Sequence, residues 1–302
     1  MNPLIPHIRH FMNQQLFLLV IDHAGWFCYN LGIMKVYGDY HTHTLDSDGQ
    51  NTIDENIAAA KQRGLSEIGI TDHAHYRVRN KKKRLENTLL AKAQVLRSGK
   101  THGIKAFYGT ECNVVGFDGD IDIASDERKL YDYLICGIHM SVQPKKFWQF
   151  FTYYIPNMFW FVMRRFGINW TPKSLVRKNT RAVVNVIEKN NIDILSHPSR
   201  YFRVDVIEVA KACIARGTAM ELNNKKISFR PVDFERMAAM GVKFVIGSDA
   251  HKAENVGRMD RVGDFLKLCD YDPSCILNLD QPFKRPKARL LDQIVKAEND
   301  KS

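Results

Sequence analysis

Histidine and carboxylate side chains recur along this sequence at the ends of short apolar runs, in positions that suit a metal centre. Six of the eleven histidines and three carboxylates are placed in this way: His41, His43, Asp48, His73, Glu111, His139, His197, Asp249 and His251. Imidazole and carboxylate are ligands that Zn, Mn and Fe accept in proteins. One histidine beside a strand is usually an ordinary polar residue, but six in the same setting are hard to obtain by chance. The set therefore predicts a metal centre.

Short strands and helices alternate along the chain and must position these side chains. The predicted strands cover Lys35–His43, Glu67–Thr71, Ile104–Glu111, Tyr133–Ile138, Ile192–Leu195, Thr218–Leu222 and Val242–Ile246. The predicted helices cover Asn51–Arg63, Leu85–Leu96, Pro172–Lys189, Val204–Ala215, Pro231–Met240 and Val262–Leu268. Strict alternation favours parallel strands joined by right-handed crossovers. Seven strands predict an α/β barrel one unit shorter than the TIM-like (β/α)8 type, with its chemistry at the C-terminal ends of the strands.

Seven motifs that contain the candidate ligands follow one another along the chain. They are Asp39-Tyr-His41-Thr-His43-Thr, Ser47-Asp48-Gly49, Ile70-Thr-Asp-His73, Gly109-Thr-Glu111, Gly137-Ile-His139, Ser196-His197-Pro198 and Gly247-Ser-Asp249-Ala-His251. Together they resemble the polymerase and histidinol phosphatase (PHP) family over about residues 35–280. Each motif alone is common, but seven in the right order are highly specific.

The resemblance implies a distorted (β/α)7 barrel with a trinuclear metal site. One ion would be held by His41, His43, Glu111 and Asp249, a second by Asp48, His73 and His251, and a third by His139 and His197, with Glu111 bridging. Some relatives carry histidine near position 48, so Asp48 would alter the metal preference. Two to three divalent Zn, Mn or Fe ions are therefore expected, and Glu111 and Asp249 would act in catalysis as well as in binding.

Adjacent cations would neutralise a phosphate ester, orient it and lower the pKa of a water molecule. For a free-standing domain, the resemblance to the family implies a histidinol-phosphatase-like hydrolase acting on a small phosphomonoester. A 3′–5′ exonuclease is an alternative, but the basic run Lys81–Arg84 lacks the interleaved aromatic residues that stack on bases. Nucleic acid is therefore not the favoured partner. A non-catalytic metal-binding interaction module is a second alternative, and the complete ligand set argues against it.

Residues that bind the phosphate should be Arg or Lys at the same rim. Arg200, three residues after His197, is the first candidate, and weaker candidates follow other predicted strands: Arg77, Arg79, Lys225 and Lys226. Asp72 is expected to orient His73. His75 is a candidate catalytic acid, with a plain surface position as its alternative.

The composition is that of a globular protein with a basic balance. Lys and Arg outnumber Asp and Glu by 44 to 33, a formal charge of +11, which suits anionic partners or simply a solvated basic surface. The six cysteines include no C-x-x-C pair, which predicts reduced thiols in a cytoplasmic protein. We expect residues 1–33 to be an N-terminal extension or a misassigned start, 34–290 the catalytic domain and 291–302 a C-terminal tail.

An aromatic-rich insertion at about residues 144–171 lies between His139 and His197, which are 58 positions apart. Its segment 147–163 is too short and too interrupted by polar residues to span a membrane. Pro156 is predicted to divide it into two short helices. A lid over the metals, a homo-oligomer interface, an interfacial helix on a membrane surface and plain core packing all stay open, with the lid and the interface preferred.

Overall fold

The computed structural model describes residues 35–74 and 80–284, apart from residues 141, 143 and 145. The predicted extension (1–33) and tail (291–302) lie outside the described residues, as do the candidate acid His75 and the candidate phosphate ligands Arg77 and Arg79. In the part of the chain that is described, no helix is both long and apolar enough to cross a membrane.

Within these ranges the chain alternates between strands and helices, as predicted. The strands are β1 Gly38–Asp39, β2 Glu67–Ile70, β3 Lys105–Tyr108, β4 Thr110–Asn113, β5 Leu134–Gly137, β6 Ile194–Leu195, β7 Ala219–Asn223 and β8 Phe244–Gly247. The helices are α1 Ile53–Gln62, α2 Lys81–His102, α3 Phe147–Gln149, α4 Ile155–Arg165, α5 Lys173–Lys189, α6 Val206–Arg216, α7 Pro231–Ala239 and α8 Asp260–Leu266. The predicted elements are present, although several of their ends differ.

Helix α2 illustrates why predicted and observed ends differ. The apolar pattern predicts a helix over residues 85–96, whereas α2 is 22 residues long. Asn80 caps its start, because its side chain accepts a hydrogen bond from the Lys83 backbone N–H at 3.1 Å. Gly103 ends it in the left-handed conformation with φ of 62°. Capping residues outside the apolar face therefore set its length.

All pairs of strands in the described residues are parallel and fall into two sheets, β1–β2–β3 and β4–β5–β6–β7–β8. The predicted third strand appears as β3 and β4, which meet at Gly109. Isolated parallel bridges join the sheets to each other, Thr42 with Ala250 and His73 with Glu111. The parallel α/β architecture is therefore confirmed, and closure into a seven-stranded barrel stays a prediction.

Apolar residues cover both faces of the strands, as expected for parallel sheets. On one face, Ile68 of β2 shares a buried cluster with Ile57 of α1 and Val95 of α2. A separate cluster contains side chains from other strands, among them Ile135 and Val245. Because the strands other than β3 consist entirely of buried residues, they give the residues at their ends fixed positions.

Residues 147–165, the aromatic segment, form one helical run rather than two helices. Helix α3, a π-helical stretch at Phe150–Tyr154 and helix α4 follow one another directly. Pro156 lies in the first turn of α4, immediately after the π-helical stretch. The prediction that Pro156 divides the segment is wrong, because the wider turns before it accommodate a residue without an N–H group.

Candidate metal centre

The nine predicted ligands lie at the C-terminal ends of the strands and come together there. His41 and His43 follow β1, Asp48 lies in the turn before α1, His73 follows β2, Glu111 is in β4, His139 follows β5, His197 follows β6, and Asp249 and His251 follow β8. Four groups of three drawn from these residues place ligand atoms within 4.8 Å of one another. His197 joins them through Glu111, whose Oε1 lies 3.0 Å from its Nε2.

The most buried group, His41, His43, Glu111 and Asp249, has the dimensions of a coordination sphere. His41 Nε2 lies 3.1 Å from His43 Nε2 and 3.2 Å from Glu111 Oε2. His43 Nε2 lies 3.4 Å from Glu111 Oε2 and 3.6 Å from Asp249 Oδ1. Ligand atoms bound tetrahedrally at about 2.1 Å from an ion would be about 3.4 Å apart. The spacing of these four side chains therefore fits one ion.

Glu111 faces two groups of histidines with its two oxygens. Its Oε2 lies beside His41 and His43, whereas its Oε1 lies 3.0 Å from His197 Nε2 and 3.4 Å from His139 Nε2. Burial disfavours the charged carboxylate, but the neighbouring histidines, His41 and His139 foremost, hold the pKa of Glu111 well below its usual range. A carboxylate with different partners on each oxygen is suited to bridging two ions.

Asp48, His73 and His251 form a more open group beside His43. Asp48 Oδ2 lies 3.2 Å from His251 Nε2 and 3.7 Å from His73 Nε2. Asp48 Oδ1 lies 3.5 Å from His43 Nδ1. His73 Nδ1 is also 3.6 Å from Glu111 Oε2. The groups are therefore continuous, with His43 and His73 between them.

Side chains behind the histidines direct their ring nitrogens toward the centre. His41 Nδ1–H donates to Glu221 Oε1 at 2.6 Å, and His139 Nδ1–H donates to Asn113 Oδ1 at 2.6 Å. A proton on Nδ1 leaves a lone pair on Nε2, and the Nε2 atom of His41 faces that of His43 at 3.1 Å. Lone pairs that meet beside ionised carboxylates are stabilised by a cation between them. The donor set therefore fits divalent metal ions.

The pKa values of two adjacent predicted ligands shift in opposite directions. Burial lowers the pKa of His43 to about 3. Burial acts on His41 in the same sense, but the carboxylates of Glu221, Glu111 and Asp249 outweigh it and raise the pKa of His41. The excess of negative charge around His41 is charge that a bound cation would neutralise.

Asp249 lies between the histidines and two basic side chains. Its Oδ2 accepts hydrogen bonds from Arg200 Nη1 at 2.6 Å and from Asn223 Nδ2 at 3.2 Å, which leaves Oδ1 toward His43. Lys225 Nζ lies 3.2 Å from His251 Nδ1 and 3.8 Å from Asp249 Oδ1. Arg200 thus contacts a predicted ligand directly, and its role in binding phosphate stays a prediction.

Asp72, which was predicted to orient His73, holds the loop after β1. Its carboxylate accepts hydrogen bonds from the Thr44 backbone N–H at 2.7 Å, from the Thr44 hydroxyl at 2.6 Å and from the Ser47 hydroxyl. Burial raises the pKa of Asp72 to about 6. This carboxylate therefore positions the loop that carries His43 and Asp48.

Glu221 is the main residue of the site that the sequence reasoning missed. Besides the His41 ring, it accepts a hydrogen bond from the His197 backbone N–H at 2.9 Å. His197 has a φ of 27°, a strained value for a side chain with a Cβ, so this contact stabilises an unfavourable backbone position. A signal was present, because Glu221 lies inside the predicted strand Thr218–Leu222 and buried carboxylates are rare unless paired.

One family model and several known proteins resemble this chain. The model of the PHP domain matches residues 39–225. A protein from Thermoanaerobacter sp. (strain X514), named a probable phosphatase, is 26% identical over 264 residues, which cover 82% of this chain and 92% of that protein. A probable phosphatase from Photobacterium profundum is 27% identical over 266 residues, covering 81% and 90%. Among solved structures, this chain resembles histidinol phosphate phosphatase from Lactococcus lactis subsp. lactis Il1403, crystallised in complex with zinc, L-histidinol and phosphate. The two superimpose with a TM-score of 0.48 at 16% identity, and the match covers 78% of this chain and 95% of that chain.

Proposed function

Because the chain belongs to the PHP domain family, we propose that it is a metal-dependent phosphatase that hydrolyses a small phosphomonoester at a site for three divalent ions. The ligand spacing around Glu111 carries this proposal, since one carboxylate faces two groups of histidines. The relatives named probable phosphatase align with most of the chain and support the class of reaction. The mixture of imidazole and carboxylate suits Zn, Mn or Fe.

The predicted ligands divide into three sets, and Glu111 belongs to two of them. They are His41, His43, Glu111 and Asp249 for one ion, Asp48, His73 and His251 for the second, and His139, His197 and Glu111 for the third. When bound, the ions supply positive charge against the phosphate and promote ionisation of a water molecule. Glu221 and Asn113 keep the Nε2 lone pairs of their histidines directed inward. The chain itself therefore contributes ligands in the correct protonation state and position.

A cavity of about 330 Å³ beside His73 supports a small substrate. Its lining includes the neutral polar side chains of Asn87, Gln94 and Tyr131. The phosphoryl group would lie at the ligands, where Lys225 adds positive charge, and the alcohol portion would occupy the cavity. Histidinol phosphate is one member of this class of substrate.

We place this chemistry on a closed barrel of seven parallel strands within a catalytic domain of residues 34–290. In this arrangement β3 and β4 form one strand. The bridges from Thr42 to Ala250 and from His73 to Glu111 support closure, since they connect the two sheets. Closure accounts for the contact between ligands that follow the first and last strands.

Metal analysis and phosphatase assays test the proposal together. We expect more than one equivalent of metal per chain after purification in metal-supplemented medium. Hydrolysis of p-nitrophenyl phosphate and histidinol phosphate should be abolished by EDTA and restored by Zn or Mn. A phosphodiester, bis(p-nitrophenyl) phosphate, and single-stranded DNA serve as comparison substrates. Less than one ion per chain would contradict the multinuclear site, and a preference for DNA would favour an exonuclease.

A further inference from the structure

The aromatic segment (residues 147–165) buries Gln149, Tyr153 and Asn157 against the fold and exposes six other large apolar side chains. Two buried amides face the fold: Gln149 Nε2 donates to Asp118 at 2.9 Å, and Asn157 Nδ2 donates to Asn179 Oδ1 at 2.8 Å. The exposed large apolar side chains are Phe147, Trp148, Phe151, Ile155, Phe159 and Val162. They recur every three or four residues and form one apolar stripe along the helical run. A stripe of this kind is unusual on a surface that meets only water.

The stripe lies in a stretch of chain without acidic residues. Residues 133–187 contain no Asp or Glu and eight Lys or Arg. Lys146 precedes the stripe and pairs with Asp118 at 3.0 Å. Arg165 and Lys173 follow it and are exposed, with no carboxylate among the described residues within ion-pair distance. Exposed aromatic rings followed by unneutralised cations match an anionic lipid surface, where rings enter the headgroup region and cations contact phosphates.

Charge argues against a second copy of this chain as the occupant of the stripe. A two-fold contact places identical surfaces against each other. If the two helical runs were parallel, Arg165 would face Arg165 of the second copy. If they were antiparallel, Arg165 would face Lys146 of the second copy, and the nearby carboxylate of Asp118 is already paired with Lys146. An anionic lipid surface would instead neutralise Arg165 and Lys173 at the C-terminal end of the stripe.

We propose that the aromatic segment docks this protein on an anionic membrane surface, with the helical run lying in the plane of the interface. The exposed rings would enter the boundary between headgroups and acyl chains, while Arg165 and Lys173 contact lipid phosphates. This inference goes beyond the proposed hydrolysis and does not depend on it.

Docking would also orient the metal centre relative to the membrane. The ring of Phe161 on α4 lies 6.0 Å from that of Tyr201, and the Tyr201 ring lies 5.6 Å from that of His197. Arg164 donates a hydrogen bond to the Tyr201 carbonyl oxygen. The helix that carries the stripe therefore packs on the loop that carries a predicted metal ligand.

Vesicle flotation tests the docking without any measurement of catalysis. The full chain is mixed with vesicles of phosphatidylcholine, or of phosphatidylcholine with phosphatidylglycerol, and the bound fraction is measured. We expect binding to the mixed vesicles. The double substitution Phe151→Ser with Phe159→Ser should weaken vesicle binding about tenfold or more, because two aromatic rings that would enter the lipid interface are removed. Arg165→Glu should also weaken binding to the mixed vesicles.

The matched control is Val232→Ser with Leu268→Ser, which changes two exposed apolar residues outside the stripe. It should leave vesicle binding unchanged, and circular dichroism together with metal content verifies that each variant is folded. No binding to mixed vesicles, or equal binding by the double variant, would overturn the proposal. A dimer that the double variant converts to a monomer, without vesicle binding, would overturn it in favour of a subunit interface.

Discussion

The candidate metal centre and the aromatic segment both bury polar side chains, but they present opposite surfaces. In the centre, His41 has carboxylate partners at both ring nitrogens, Glu221 behind it and Glu111 in front. In the segment, Asn157 and Asn179 each donate to the other at 2.8 Å. These buried polar side chains are thus paired in both regions, as stability requires. What differs is the face left for a partner: ligand atoms in one region, apolar side chains in the other.

This difference indicates that the two regions differ in function because of the side chains that they present to a partner, and not because of how they bury polar groups. The centre draws its ligands from strand ends along the whole described chain, so it depends on the complete fold. The segment is one continuous stretch whose outer side chains bear little on folding. Substitutions in the candidate metal centre should therefore have large effects on metal binding and activity. Substitutions on the outer face of the aromatic segment should have small effects on the free energy of unfolding.

The largest effect is expected at Glu111, whose two oxygens face both histidine groups. Glu111→Gln should lower metal content and reduce phosphatase activity by more than about a hundredfold, since even partners behind metal ligands contribute up to that much. Elemental analysis and initial rates with p-nitrophenyl phosphate measure the two quantities. Glu67→Gln is the control, a strand carboxylate only 3% exposed whose partners are Tyr40 and Lys105. Equal losses in both variants would mean that burial rather than bridging makes Glu111 important.

A smaller effect is expected at Glu221, which acts through His41. Glu221→Ala should weaken metal binding by about ten- to a hundredfold, because the His41 ring loses the acceptor that fixes its tautomer. Glu221→Gln should lose less metal affinity, because the amide oxygen still accepts a hydrogen bond from the His41 Nδ1–H group. Competition with a chelator at several pH values measures the affinity. If the two variants behave alike, the hydrogen bond is not the source of the effect.

Lys225 should affect substrate binding more than metal binding. Lys225→Met is expected to raise KM for a phosphomonoester by about tenfold, since one charged contact to phosphate is lost at a partly exposed position. Metal content should not change. Lys211→Met on α6 is the control, because Lys211 is exposed and is not a candidate phosphate ligand, and steady-state kinetics separate KM from kcat. A similar rise in both variants would indicate a general effect of surface charge instead.

The smallest effects are expected in the aromatic segment. Asn157→Ala should lower the free energy of unfolding by about 1 kcal/mol, because the Asn179 amide loses a buried partner. Phe159→Ser, which changes a side chain 52% exposed, should stay within about 0.5 kcal/mol of the parent protein. Urea denaturation compares the two. A larger loss for Phe159→Ser would mean that the stripe packs within the fold, and the contrast between the two regions would fail.

The clustering of the candidate ligands could be predicted because their positions depend on local pattern. Short apolar runs predict strands, and the histidines and carboxylates that end those runs must lie at one edge of a parallel sheet. The resemblance to the PHP family rests on the same short motifs, and the family match over residues 39–225 confirms it. The extent of α2 was not predicted, because Asn80 and Gly103 set it from outside the apolar pattern.

Contacts between distant parts of the chain could be decided only by the tertiary structure. Glu221 meets His41 across 180 positions, and Arg200 meets Asp249 across 49, so neither pairing leaves a local signal. The aromatic segment makes the same distinction in a single element. Its sequence determined that many aromatic rings lie close together. The same sequence is compatible with a stripe that faces the fold and with one that faces outward, so composition alone does not decide between them. The hydrogen bonds of Gln149 and Asn157 and the packing of the Tyr153 ring turn one side of the run toward the fold, because buried amides need partners that only packed neighbours supply.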